Sequence, residues 1–175
     1  MRGETSSRDG YGDMAEGKRL ALLVATEAYA DPGLTTLRSP MGDVRALAQV
    51  LEDGSIGGFQ ARQLVNRSTD ELKQEIEGFF EDARLQDLLV LYVSGHGLLS
   101  QNRRFYFATA TTKLTRLRAT AIEDSFVHDV IQHSRARSIV LMLDCCQSGA
   151  FAKGFAPKGA TRVDVEHRFG QGAVV

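Results

Sequence analysis

Three uninterrupted apolar runs along the chain predict strands that are buried on both faces. The runs are LALLVA (20–25), DLLVLYV (87–93) and SIVLMLD (138–144). None of them alternates apolar with polar positions, and this pattern is typical of strands covered on both sides within a parallel sheet. A shorter run, FYFATA (105–110), predicts one further strand. We therefore expect a central sheet that is mainly parallel.

The segments between these runs carry apolar residues at helical spacing. They span residues 40–53, 68–85 and 121–134. The second segment has the clearest start, because Ser68 and Thr69 are candidate cap residues and Glu71 is placed for a capping box. Strands that alternate with helices predict an α/β fold with right-handed crossovers, which binds ligands outside the carboxyl ends of the strands.

The composition is that of one globular domain without a dominant charge. The chain has 175 residues, of which 43% are hydrophobic, and this is enough to bury a core. Its 21 Lys and Arg residues nearly balance 22 Asp and Glu residues, so no net field attracts nucleic acid or acidic lipid. No apolar stretch approaches the ~20 residues that cross a bilayer. We expect neither a nucleic-acid partner nor a membrane partner.

The cysteine usage indicates a reducing compartment. Cys145 and Cys146 are the two cysteines of the chain, and adjacent cysteines cannot join distant segments by a disulfide. The sequence therefore predicts a cytoplasmic protein with free thiols. Residues 1–17 are polar and glycine-rich and lack the apolar region of a signal peptide, so we expect a disordered leader there.

Two predicted strands end in residues that can carry chemistry. His96 lies between two glycines in YVSGHG, directly after the second apolar run, and Cys145 and Cys146 follow the third. The carboxyl ends of parallel strands lie at one edge of the sheet, and an imidazole beside a thiol supports the nucleophilic thiolate. Taken alone, the segment GHG is also explained by a turn histidine with a structural hydrogen bond.

The chain resembles the large catalytic subunit of the caspase-like peptidase clan, particularly the bacterial caspase-like proteins and metacaspases, over roughly residues 18–175. YVSGHG and DCCQSG carry the resemblance, and the 50 residues from His96 to Cys146 fit the caspase spacing of about 50. Residues 144–149 match the metacaspase pattern D-x-C-x-S-G, whereas animal caspases show Q-A-C-x-G. This register makes Cys146 the nucleophile and leaves Cys145 in the variable position.

The resemblance implies a caspase-like three-layer α/β/α fold and the activity of a cysteine endopeptidase. It makes His96 the base and proton shuttle, and it places the oxyanion hole at the backbone N–H groups of Gly97 and Cys146. Asp144 and Asp43 match two acidic residues of the S1 pocket, which would favour arginine or lysine at P1. Asp43 is nearly as well explained as an acidic residue that stabilises the first helical turn.

The resemblance also implies a division of the chain. We expect a catalytic large-subunit domain over residues 18–151, a polar linker or processing loop over 152–172, and the start of a further strand at 173–175. The small-subunit portion would be missing from this sequence. The expected partners are protein or peptide substrates, and either the small-subunit portion of the protein itself or a dimer partner. We expect no metal and no cofactor, since the sequence lacks a D-x-D-x-D calcium loop and a zinc helix.

Two further interpretations compete with a peptidase active in regulated pathways such as bacterial defence or programmed cell death. The first is an inactive caspase-like scaffold or binding module that works through dimerisation or partner recruitment. The presence of both His96 and Cys146 argues against it. The second is a nucleotide-binding or redox domain, which predicts a glycine-rich phosphate loop or a C-x-x-C pair, and the sequence contains neither.

Overall fold

The computed structural model describes residues 17–145 and 173–174. The strands are β1 (Arg19–Ala25), β2 (Gln60–Val65), β3 (Leu88–Ser94), β4 (Gly97–Leu99), β5 (Phe105–Phe107), β6 (Ile122–Glu123), β7 (Ser138–Asp144) and β8 (Ala173–Val174). The helices are α1 (Pro40–Glu52), α2 (Thr69–Glu81), α3 (Leu117–Thr120) and α4 (Asp124–His133), with a 3-10 turn at Leu114–Arg116.

The central sheet has the strand order β2-β1-β3-β7-β8, and all of its pairings are parallel. Strands β1, β3 and β7 correspond to the three apolar runs. Most residues of β1 and β3 are buried, because helices cover both faces of the sheet, whereas β7 is mostly half-buried and Leu141 is its one buried residue. The prediction of an α/β fold with a mainly parallel central sheet is confirmed.

The two faces of the sheet pack against different helices. Alternate side chains of β1, such as Leu22 and Val24, join a core cluster with Leu72 and Ile76 of α2 and with Val127 of α4. The other set of side chains packs against α1, in a core cluster with the members Ala21, Leu23, Val44, Ala48 and Val90. This alternation follows from the two-residue period of a strand. The helices and the sheet form the three layers of the α/β/α fold.

The start of helix α2 is the one that the sequence predicts. The Ser68 hydroxyl accepts a hydrogen bond from the backbone N–H of Glu71, and the Glu71 carboxylate accepts one from the Ser68 N–H. This reciprocal capping box satisfies two N–H groups that the first turn leaves open. The helix ends at Glu81, four residues before the predicted end.

Strand β2 was not predicted. Its sequence, QARQLV, has polar residues at half of its positions, and Leu64 is its one fully buried side chain. β2 lies beside β1 at the end of the strand order, so most of its side chains do not enter the core. A strand of this kind lacks the continuous apolar run that identifies β1, β3 and β7.

The segment FYFATA forms a shorter strand than predicted, and it lies outside the central sheet. Strand β5 ends at Phe107 and pairs antiparallel with β4 and β6 in a separate three-stranded sheet. The helical segment predicted from residue 121 begins at Asp124, because Ile122 and Glu123 pair with β5 instead. Apart from Gly17, the predicted leader lies outside the described residues, as does the predicted linker 152–172.

Candidate active site

The register of the central sheet brings the two candidate motifs to one edge. β3 and β7 are neighbours, and Ser94 is the Cα partner of Asp144 at their carboxyl ends. His96 follows Ser94 by two residues, and Cys146 follows Asp144 by two residues. A hydrogen bond of 3.3 Å from the Gly95 N–H to the Asp144 carbonyl continues the pairing beyond the strands. The described parts of the two motifs, up to Cys145 in the second, therefore begin side by side at this edge.

His96 is almost completely buried, with an exposed fraction of 3%. Its Nε2 atom lies 2.8 Å from the backbone carbonyl oxygen of Thr35. Thr35 belongs to the loop between β1 and α1, residues 26–39, which we call the β1–α1 loop. A carbonyl oxygen can only accept a hydrogen bond, so Nε2 carries the hydrogen that it donates to Thr35. Nδ1 is then the ring atom that can accept a proton.

Tyr29, from the same loop, covers the imidazole. Its ring centroid is 4.9 Å from that of His96, and its hydroxyl accepts a hydrogen bond of 3.1 Å from the His96 backbone N–H. The same hydroxyl donates to the Thr26 carbonyl over 2.6 Å. Burial raises the pKa of Tyr29 to about 12; the hydrogen bond from the His96 N–H acts against this rise, and the negative charge of Glu27 adds to it. Tyr29 is therefore a neutral phenol at physiological pH.

Gly95 leaves space for the hydrogen bonds that Tyr29 makes with Thr26 and His96. A Cβ atom at position 95 would lie 3.2 Å from both the Thr26 carbonyl oxygen and the Tyr29 hydroxyl. These are two of the atoms that hold the backbone next to His96. A side chain at position 95 would thus push back the β1–α1 loop by a few tenths of an ångström, and the glycine before the histidine avoids this.

Cys145 packs into the core rather than standing free at the edge. It is partly buried against the cluster that α2 and α4 cover, and its thiol donates a hydrogen bond of 3.5 Å to the Val93 carbonyl. Cys146, which the resemblance makes the nucleophile and an oxyanion-hole donor, lies outside the described residues. Gly97, the other predicted oxyanion-hole residue, is buried and opens strand β4.

The two predicted S1 carboxylates both raise the pKa of one tyrosine, Tyr92. The Tyr92 hydroxyl donates a hydrogen bond of 3.2 Å to Asp144 Oδ2, at the carboxyl end of β7. Burial raises the pKa of Tyr92 to about 12, and the charges of Asp144 and Asp43 raise it further, against the lowering effect of Ser94. Asp43 lies in the first turn of α1. Both side chains are exposed, so a cationic group can reach them from solvent.

The remaining histidines of the described segments show no metal-binding arrangement. His133 is exposed and lies 3.4 Å from Asp129 in an i,i+4 pair, and His128 is half-buried on the same helix. Within residues 17–145, no group of three or more His, Cys, Asp or Glu side chains converges on a point where a metal could bind. The described helices also include none that is both long and apolar enough to cross a membrane.

Two contacts of the candidate base escape prediction from the sequence. The Thr35 carbonyl is a backbone group that any residue type supplies, so no residue pattern marks it. Tyr29 lies in a polar loop without periodicity, and its only signal is an aromatic residue where a loop would favour small or polar ones. Both depend on the folded path of the β1–α1 loop.

The buried His96 and the partly buried Cys145 thus lie at the carboxyl edge of a parallel α/β sheet, and the comparison with protein families identifies the family. The model of the caspase domain, peptidase family C14, matches residues 18–170. The match covers most of the chain, which therefore belongs to the caspase-domain family. No curated protein matches the chain by sequence.

Solved structures show the same fold. The protein GSU0716 from Geobacter sulfurreducens superposes with a TM-score of 0.59 at 16% identity, over 74% of this chain and 50% of its own. The structure of pro-sf-caspase-1 gives 0.57 at 15% identity, over 94% and 60%. Caspase-1 from Spodoptera frugiperda gives 0.53 at 15% identity, over 93% and 61%. The chain thus spans between half and about three fifths of the length of these proteins.

Proposed function

We propose that the protein is a cysteine endopeptidase that uses His96 and Cys146 as a catalytic dyad. The observation that carries the proposal is the register of β3 and β7, in which Ser94 is paired with Asp144. Since the two candidate residues each follow a paired position by two residues, the imidazole and the Cys146 thiol would come from neighbouring points on the sheet edge. Membership of the caspase-domain family supports the same assignment.

The contacts of His96 suit a general base. Because the Thr35 carbonyl holds Nε2 in its protonated form, Nδ1 would take the proton of the Cys146 thiol. The thiolate would then attack the scissile carbonyl carbon, and backbone N–H groups such as those of Gly97 and Cys146 would stabilise the oxyanion. Proton transfer from His96 to the leaving amine yields a thioester on Cys146. Water hydrolyses the thioester and restores the free thiol.

Cys145 is the weaker candidate for the nucleophile. Its thiol already donates to the Val93 carbonyl, and its side chain packs against the core. Such surroundings disfavour a thiolate, because burial penalises the charged form and a carbonyl oxygen cannot stabilise it. This contact supports the register in which Cys146 attacks the substrate.

The proposed specificity is for arginine or lysine at P1. Two exposed carboxylates, Asp144 and Asp43, act on the hydroxyl of Tyr92 from two different elements. A guanidinium or ammonium group that enters between them would make charge-assisted hydrogen bonds, whereas an aspartate side chain would be repelled. We further propose that the small-subunit portion or a dimer partner completes the substrate cleft, and that the enzyme acts in the cytoplasm in defence or programmed cell death.

The test uses the full natural protein with two readouts. Fluorogenic peptides that end in arginine, lysine or aspartate measure turnover, and a peptidyl-arginine chloromethyl ketone reports the reactive thiol by intact and peptide mass. We expect cleavage after arginine and lysine, with label on Cys146. His96→Ala and Cys146→Ala should both abolish turnover, whereas Cys145→Ala, the matched control, should retain it.

Each opposite result has a definite meaning. Label on Cys145, or activity that survives in Cys146→Ala, would refute the assigned nucleophile. A preference for aspartate would refute the acidic S1 pocket and leave the dyad standing. Neither label nor turnover in the natural protein would refute the peptidase and favour a scaffold that works through dimerisation or recruitment.

A further inference from the structure

A cavity of about 500 Å³ opens beside the three-stranded sheet, and none of its lining residues belongs to the candidate active site. One wall comes from the turn between β4 and β5, with Gln101, Asn102 and Arg104. The 3-10 turn and helix α3 supply another part of the lining, with Arg116 and Arg118. Three arginines from two separate segments thus converge on one concave surface.

The balance of charge around the cavity is positive. Arg104 forms an ion pair with Glu123 of β6, and the charge of Asp124 also acts on it. Arg116 and Arg118 are exposed, and among the ion pairs of the described residues neither is a member. Within the described residues, no ion pair therefore neutralises their positive charges, which remain available to an anion.

The cavity also has the size and the surface of a small-molecule site. Its volume falls in the range of about 300–1,000 Å³ that is common for ligand pockets. Leu114 and Leu117 supply apolar surface, and the amides of Gln101 and Asn102 supply donors and acceptors. Arginine presents a planar pair of N–H donors that matches the oxygen atoms of a phosphate group.

We propose that this cavity binds a phosphate-bearing small molecule, with Arg116 and Arg118 on the phosphate groups and the amide and leucine side chains around the remainder. Tyr106, which also lines the cavity, is 1% exposed, and its strand β5 pairs with β4 at Leu98 and Tyr106. The backbone beneath the site is thus held in a paired sheet.

The experiment measures binding to the full chain by calorimetry, with pyrophosphate, ATP and inorganic phosphate as probes and a hexaglutamate peptide as the carboxylate counterpart. We expect saturable binding of pyrophosphate or ATP. Arg116→Ala and Arg118→Ala should each weaken it by about tenfold, as expected for the loss of a charge-assisted contact. Arg118→Lys keeps the charge without the planar donor pair, and it should recover only part of the loss. Arg135→Ala removes an exposed arginine between α4 and β7 and should change nothing.

Several outcomes would overturn the proposal. One is the lack of saturable binding of all three phosphate probes at millimolar concentration. Another is a loss in Arg135→Ala equal to that in Arg116→Ala, since this would indicate unspecific attraction to surface charge. Tighter binding of hexaglutamate than of pyrophosphate would assign the cavity to an acidic protein segment instead. Because binding is measured directly, these results do not depend on whether the protein is a peptidase.

Discussion

The hydroxyl of Tyr29 lies 3.1 Å from the backbone nitrogen of His96 and 2.6 Å from the carbonyl oxygen of Thr26. It accepts from the first and donates to the second. One side chain therefore joins the end of β1 to the residue that carries the candidate base. Neither backbone group is exposed to water, because Thr26 and His96 are both buried.

Replacement of Tyr29 by phenylalanine should destabilise the protein. Tyr29→Phe keeps the ring over the imidazole but leaves the His96 N–H and the Thr26 carbonyl without this partner. An unsatisfied buried polar group costs about 1–3 kcal/mol, so we expect a loss of at least this size in the free energy of unfolding, measured with urea. Tyr106→Phe is the control, since its hydroxyl makes only a 3.5 Å contact with Glu123. Equal losses in the two variants would contradict the bridging role of Tyr29.

Tyr29 and Tyr92 should ionise at a higher pH in the folded protein than in the unfolded protein. The pKa values of Tyr29 and Tyr92 are raised to about 12, first by burial, whereas an unfolded tyrosine ionises near pH 10. A raised pKa stabilises the fold fully below about pH 10, and this contribution is lost as the pH rises through about 12. Absorbance at 295 nm should therefore show fewer phenolates near pH 11 in the native protein than in urea. Tyr29→Phe should remove one late phenol. Superimposable native and unfolded curves would refute the shifts.

Gly97 should not tolerate a side chain. A Cβ atom at position 97 would lie 2.7 Å and 2.8 Å from two ring atoms of Phe105. That ring is buried and packs edge-on against Phe107, so it has little room to move. We expect Gly97→Ala to lower the free energy of unfolding by about 1–3 kcal/mol. Gly78→Ala, on helix α2 with open space around it, should raise it by about 0.5–1 kcal/mol. Changes of the same sign would contradict this account.

The free energy of unfolding should fall at acid pH because of Asp87. Its carboxylate oxygens accept hydrogen bonds from the backbone N–H groups of Lys18, over 2.7 Å, and Arg84, over 2.9 Å. Burial acts to raise the pKa of Asp87, but these donors lower it below its ordinary value. The stabilisation is therefore present above about pH 4 and is lost as the pH falls through the lower folded pKa. Asp87→Asn should destabilise the protein at pH 7 and flatten its acid unfolding profile. Asp82→Asn, at an exposed position, should leave the profile unchanged.

The strands that position the site could be predicted because burial leaves a direct trace in the sequence. β1 and β3 are mostly buried, and β7 packs side chains against both core clusters, so all three are continuous apolar runs in the sequence. The capping box at Ser68 and Glu71 marks helix α2. Strand β2 left no such trace because most of its side chains face away from the core. FYFATA showed its strand character, but not that it would pair antiparallel in a second sheet.

In the candidate site, too, residues at strand ends could be predicted, whereas residues in the loop could not. The positions of His96 and Asp144 in the fold could be predicted from the sequence, because Asp144 ends β7 and His96 lies two residues after β3, and both strand ends are visible in the pattern. The groups that hold His96 could not, because a loop folds according to contacts between distant segments rather than its own periodicity. The hydrogen bond from the Ala30 N–H to the Ala110 carbonyl, which fixes part of the β1–α1 loop, joins residues 80 positions apart.

The Thr35 carbonyl has a consequence for how this site can change by mutation. Because the acceptor on His96 Nε2 is part of the main chain, every amino acid at position 35 retains it, and no single base change can delete it. Insertions and deletions between Thr26 and Pro40 are the changes that move this oxygen. The tautomer of the imidazole thus depends on the length of the β1–α1 loop. Substitutions in this loop should preserve it far better than insertions or deletions do.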